Sequence, residues 1–187
     1  MPTPTSLEWI LARCSSIHDI DASGCGQFSD NVLLALSDLP IKVLRMHGCW
    51  RVGGHGAHSA IFKFAKRDLA CSGALCGLQV LDLSHMDKLS AGHGQPDATA
   101  EIAQALYVGL EAVAKGCPRL IKLAVGGPSF SWREDKGLAA FKGLKHLTIS
   151  RRTRCTDSSL VKVLEQHPVL ESFRLSAATA SPRRLSR

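Results

Sequence analysis

Aromatic residues are scarce in this sequence, at 5% of its 187 positions. A core cannot then rest on stacked rings, and must come mainly from Leu, Ile, Val and Ala. Long apolar runs are also missing. The longest near-continuous stretch, Val32 to Leu36, falls far short of the roughly 20 residues of a membrane-spanning helix and reads as helix core. Acidic residues are few beside the basic ones, 16 against 23, which leaves a net charge of +7. That balance disfavours basic partners and favours acidic ones, whether nucleic acid, anionic lipid or an acidic protein surface. Part of the excess is local. Arg151, Arg152 and Arg154 form one cluster and Arg183, Arg184 and Arg187 another, both expected as solvated loop and tail charge.

Two further absences concern compartment. There is no secretory signal, and the stretch from Met1 to Ser16, with Glu8 and a single Arg, is a poor organellar presequence. No cysteines form a closely spaced pair. The seven present are an odd number without a signal, which predicts reduced and mostly buried thiols in a reducing intracellular compartment. Cytoplasm or nucleus fits, with an organelle matrix as the remaining option. What is present is the composition of a folded chain: 45% apolar and 21% charged residues, in a length that can bury one core.

One pattern recurs along that length: apolar, two residues, apolar, one residue, apolar. It occurs as Ile17-Ile20-Ala22, Ile41-Leu44-Met46, Leu78-Leu81-Leu83, Leu120-Leu123-Val125, Leu144-Leu147-Ile149 and Leu170-Phe173-Leu175. The starts are 24, 37, 42, 24 and 26 residues apart, so the two long intervals require insertions. Other offsets repeat with it. Cys25 and Cys49 each follow the last apolar position by three residues, and Cys14, Cys117 and His167 each precede a unit start by three. Cys117-Pro118-Arg119-Leu120 parallels His167-Pro168-Val169-Leu170, and Phe28-Ser29-Asp30 before Leu33 parallels Cys155-Thr156-Asp157 before Leu160.

Each offset has a physical reading. The second and third apolar positions of a unit lie two apart, so a short strand points both inward. Ser29-Asp30 and Thr156-Asp157 can cap a following helix, which lays Leu33 and Leu36, or Leu160 and Val163, against the strands. One such unit cannot bury its apolar face alone, and stacked units can.

These residues resemble the cysteine-containing subtype of leucine-rich repeats, as found in the repeat region of F-box/leucine-rich-repeat proteins and antagonist-of-mitotic-exit-network-like proteins. The resemblance covers roughly residues 14–178 and three of the spacings fall in the roughly 20–29-residue range of such repeats. It implies an α/β fold: a right-handed solenoid in a short horseshoe arc, with about six parallel strands on the concave face and helices on the convex face. The expected organisation is a capping helix within 1–16, a repeat domain over 17–178 and a flexible basic tail over 179–187. The capping helix is expected over Thr5 to Arg13, with Leu7, Ile10 and Leu11 on one side. Ala22 and Val125 depart from the usual Leu, and Met86, Pro128, Arg152 and Ala178 stand where Cys or Asn is usual. No F-box precedes Ile17.

The insertions contain Gly53-Gly54-His55-Gly56-Ala57-His58, then an apolar helix around Ile61 to Leu69, and Gly92-His93-Gly94-Gln95-Pro96, then a helix from about Ala98 to Lys115 with Gly116 as its C-cap. The glycine-rich loop lacks the Lys-Ser/Thr ending of a phosphate loop. His47, Cys49, His55, His58, Cys71 and Cys76 have zinc-ligand chemistry, but their spacing does not, so no metal or other cofactor is expected. No Cys–His pair stands in register for nucleophilic catalysis, and the chain is expected not to be an enzyme. Arg183-Arg184-Leu185-Ser186 resembles a basophilic kinase site, within a tail read as flexible.

The expected function is therefore binding. The concave face would carry Asp19, Asp21, Ser23, Val43, Arg45, His47, Val80, Asp82, Ser84, Lys122, Ala124, Gly126, His146, Thr148, Ser150, Ser172, Arg174 and Ser176, acidic early and basic late. Trp50 and Trp132, just past the strands, are the candidate aromatic anchors. The partner expected is another protein, with the Arg151, Arg152 and Arg154 cluster and the tail as a route to an acidic surface or nucleic acid. A non-catalytic scaffold or adaptor, by resemblance one that recognises substrates for a ubiquitin ligase, is the leading reading. The alternative is a constitutive structural subunit of a large organellar or ribonucleoprotein assembly.

Overall fold

A computed structural model describes residues 6–36, 39–49, 74–84, 110–126, 135–150 and 157–176. Within them lies one six-stranded sheet: β1 (Asp19–Asp21), β2 (Val43–Arg45), β3 (Val80–Leu83), β4 (Lys122–Gly126), β5 (His146–Ser150) and β6 (Ser172–Ser176). The strands stand in chain order and every pair is parallel, which makes this an α/β protein. Parallel neighbours need a return crossover, and helices supply part of it: α2 (Asp30–Ala35), α3 (Asp135–Ala139) and α4 (Asp157–Gln166), with a helical segment over 110–116 and a short 3₁₀ turn at Ala74–Gly77, while α1 (Ser6–Arg13) precedes β1. No helix among the described residues is long and apolar enough to cross a membrane.

The register follows the recurring pattern. Ile20, Leu44, Leu81, Leu123, Leu147 and Phe173 are successive partners across the sheet, and Leu83, Val125, Ile149 and Leu175 form the row two residues further on. On the covered side these rows meet Phe28, Val32, Leu33, Leu36, Leu110, Val113, Leu138 and Val163 in one continuous core. The first apolar residues of the internal units, Ile41, Leu78, Leu120 and Leu144, are buried beneath the turns that enter the strands.

Those turns repeat in backbone detail. The N–H groups of Ile17, Leu120 and Leu170 donate to the carbonyls of Cys14, Cys117 and His167, at 3.2, 3.1 and 3.0 Å. Each unit is then tied to the next by a forked bond. The carbonyls of His18, Lys42, Gln79, Ile121 and Lys145 each accept two N–H groups from the following turn. At the far end of β1 and β2, Cys25 N–H bonds Ala22 O and Cys49 N–H bonds Met46 O, at 2.9 and 3.1 Å. The third residue of each turn, Gly24 or Gly48, has φ of +71° or +67°, a left-handed geometry that glycine adopts without strain. The buried Cys49 Sγ–H donates to the Ala22 carbonyl of the preceding unit at 3.0 Å, which gives the recurring thiol a structural role.

Several expectations need correction. Ile10 lies exposed on α1 while Leu11 is buried, so the helix meets its neighbour α2 along a narrower stripe than its apolar residues alone indicate. The helix over 110–116 does end at Gly116, before Pro118, with Cys117 N–H reaching Val113 O at 2.8 Å. The thiols are not uniformly buried. Cys49 and Cys117 are, Cys25 and Cys76 are partly so, and Cys14 is exposed; none of the five is in a disulfide. Leu175 occupies an inward position of the pattern yet is 51% exposed, and among the described residues β6 has a neighbouring strand on one side only. The insertion loops, the helix around 61–69, the first part of the helix from 98, residues 177–178 of the repeat region and the tail over 179–187 lie outside the described residues.

Candidate functional site

The face of the sheet opposite the core is the candidate site. Parallel sheets are ordinarily covered on both faces and read as continuous apolar runs. Here the second face is polar. The register brings Asp19, Val43, Val80, Lys122, His146 and Ser172 into one row, and Asp21, Arg45, Asp82, Ala124, Thr148 and Arg174 into the next. Asp19, Asp21, Lys122 and Arg174 are exposed, and Arg45, Asp82 and His146 are half-buried.

The acidic half is internally satisfied. Arg45 Nη1 donates to Asp19 Oδ1 at 3.1 Å. Ser23 N–H donates to Asp21 Oδ1 at 3.0 Å, and Ser84 N–H to Asp82 Oδ1 at 2.9 Å, the same carboxylate turn two units apart. Hydrogen bonds from Ser23 hold the Asp21 carboxyl below the usual range, and the charges of Arg45 and His47 act in the same direction. The repeated Asp-x-Ser of Asp21-Ala22-Ser23 and Asp82-Leu83-Ser84 is the sequence signal for this turn, which strand patterning alone overlooks.

His47, Ser84 and Asp82 form a connected set. Ser84 Oγ donates to Asp82 Oδ1 and lies 2.8 Å from His47 Nδ1. A hydroxyl has one hydrogen, so with that hydrogen on Asp82 the imidazole must carry the proton at Nδ1 and donate it to Ser84. The order of the three groups is therefore acid, hydroxyl, imidazole. A catalytic triad needs the imidazole in the middle, accepting from the hydroxyl. With the proton so placed, His47 is held by Ser84.

The later half differs. Lys122 and Arg174 have no ion-pair partner among the described residues, and Lys145 at the turn before β5 is engaged by Glu171 at 2.7 Å. Lys145 is also the main reason that Glu171 is held below the usual carboxylate range, with His146 adding its field. Lys122 and Arg174, with His146 between them in the register, thus mark the basic end of the face among the described residues.

Three expected face residues are not available to a partner: Ala124, Ser84 and Ser150 are buried. Ser84 is drawn in by its bonds to Asp82 and His47. Ser150 packs against Gly126, whose positive φ and missing Cβ allow the approach; a Cβ there would collide with the Ser150 backbone and hydroxyl. Among the described residues the Ser150 Oγ has no hydrogen-bond partner. Trp50, Trp132, Arg151, Arg152 and Arg154 lie outside the described residues, as do His55, His58 and Cys71 of the zinc-like set. Among the described residues no three His, Cys, Asp or Glu groups converge to hold a metal ion.

The architecture that fold and face define is an α/β protein whose all-parallel sheet has, among the described residues, one polar face. No protein-family profile matches the chain, and no curated protein matches its sequence.

Proposed function

We propose that the chain is a leucine-rich-repeat solenoid of the cysteine-containing type, and that it is a non-catalytic scaffold that holds an acidic segment of another protein on its concave face. One observation carries this reading: among the described residues the all-parallel sheet presents a polar face on which Lys122 and Arg174 are exposed and have no ion-pair partner. The resemblance to F-box/leucine-rich-repeat proteins supports substrate recognition for a ubiquitin ligase as the setting. Affinity purification followed by mass spectrometry tests both. Recovery of partners that the Lys122→Glu and Arg174→Glu double variant loses, at unchanged melting temperature, supports face binding, and ligase components among them support the setting. Partners retained in full by that variant overturn the face. Partners lost only on nuclease treatment, with a steep salt dependence, overturn protein binding in favour of nucleic acid.

A second reading, a constitutive subunit of a large assembly, is favoured by the apolar residues left exposed at both ends of the strand stack: Trp9 and Ile10 at one end, Val169 and Leu175 at the other. Recovery of one fixed set of subunits, insensitive to the face variants, supports it.

A further inference from the structure

The two ends of the stack are complementary to each other. At one end stand α4 and β6, with Val161, Leu164, Val169 and Leu175 each 44% exposed or more. At the other stand α1 and β1, with Trp9 and Ile10 similarly exposed and Ile20 only partly buried. Among the described residues α1 packs on α2 and α3 on α4, and each strand packs on the next. A copy placed beyond β6 in the same sense would set its α1 on α4 and its β1 on β6. Trp9 and Ile10 would then cover Val161 and Leu164.

The register extends without adjustment. In the step from β1 to β2, Asp19, Ile20 and Asp21 face Val43, Leu44 and Arg45. In the step from β5 to β6, the corresponding positions of β6 are Ser172, Phe173 and Arg174. A following β1 would lay Ile20 beside Phe173 and Asp21 beside Arg174. Within the stack the row runs Asp21, Arg45, Asp82, so an Arg174 placed before Asp21 continues the alternation of charge. The forked turn bond continues as well. Among the described residues it is unmade at the Glu171 carbonyl on one end and at the His18 and Asp19 N–H groups on the other, which are its acceptor and its two donors.

From this matching of charge, apolar surface and backbone bonds we infer that the α4–β6 end of one copy receives the α1–β1 end of a second copy, head to tail. The contact is heterologous. It leaves one end free on each partner, so it propagates and does not close at two. Burial of the open β6 edge and its exposed apolar residues drives it, and the Arg174–Asp21 pair sets its register and direction.

Sedimentation of the full chain over a concentration series tests this. The average mass is expected to rise steadily and pass twice that of one chain. Arg174→Asp places like charges together at the contact, as does Asp21→Arg, and each alone is expected to weaken association about tenfold or more. An equimolar mixture of the two variants restores opposite charges at every contact and is expected to recover association, which also shows that both fold. Val161→Glu lies on α4, away from the polar face, and is expected to weaken association without altering partner capture by that face. A single chain at every concentration, as when a different protein takes the β6 edge, overturns the inference. So does a plateau at two copies, the mark of a symmetric contact, or association that the charge reversals leave unchanged.

Discussion

β5 and β6 carry the same apolar pattern and end in different surroundings. Leu144, Leu147 and Ile149 are at most 1% exposed, whereas Leu170 and Phe173 are only partly buried and Leu175 is 51% exposed. The side chains of both strands point the same way, because alternation along a strand is local. Burial is not local. It needs a unit on each side, and among the described residues β6 has one. The pattern therefore encodes direction everywhere and protection only in the interior, and equal-looking leucines differ in energetic weight according to their place in the stack.

The largest test of that contrast is a pair of truncations. Leu147→Ala is expected to cost about 2–5 kcal/mol, as for other fully buried leucines, and Leu175→Ala under about 1 kcal/mol. Equal losses in chemical denaturation would break the comparison. Next in size is Gly126→Ala, expected to cost about 1–3 kcal/mol by forcing β4 and β5 apart at Ser150. Ser150→Gly in the same chain should recover little of it, since part of the collision is with the Ser150 backbone.

A third effect depends on pH. His167 fills the place that Cys117 fills in an earlier unit, and it is buried with Nε2 unpartnered. Burial pushes its pKa down, Lys142 adds to this, and backbone hydrogen bonding at Phe141 and Leu138 opposes it. The unfolded chain takes up a proton near the ordinary value of about 6.5 while the folded chain resists it. Stability should therefore be full above that value and decline as pH falls toward the lower folded one. His167→Cys should flatten the melting temperature between neutral and mildly acidic pH. A slope that survives the substitution assigns the dependence to other groups. The smallest effect belongs to the exposed Arg45–Asp19 pair, where removal of either partner should change stability by no more than about 1 kcal/mol.

Much of the fold is legible in the sequence because strand alternation and helix caps are short-range. The inward rows through Ile20, Leu44, Leu81, Leu123 and Leu147 and the helix starts at Asp30 and Asp157 all stand where the recurring offsets put them. Relations between units are harder to read. Nothing in Ser150 itself announces that it is buried against Gly126, and nothing in Leu175 announces an open edge. The site divides in the same way. The positions of Asp19, Asp21, Arg45, His47, Asp82, Lys122, His146 and Arg174 on one face follow from alternation. Which of those charges are already matched depends on neighbours 26 or 37 residues away in the chain, as in Arg45 with Asp19 and His47 with Ser84.

The forked turn bonds have a consequence for motion. Among the described residues each joins one unit to the next and none skips a unit, so the strands behave as a row of latches. Opening should begin at the termini and progress inward, with amide exchange fastest along the outer strands and slowest around β4 and β5. Cutting one interior latch would divide the row into two shorter cooperative blocks and leave each to hold itself together.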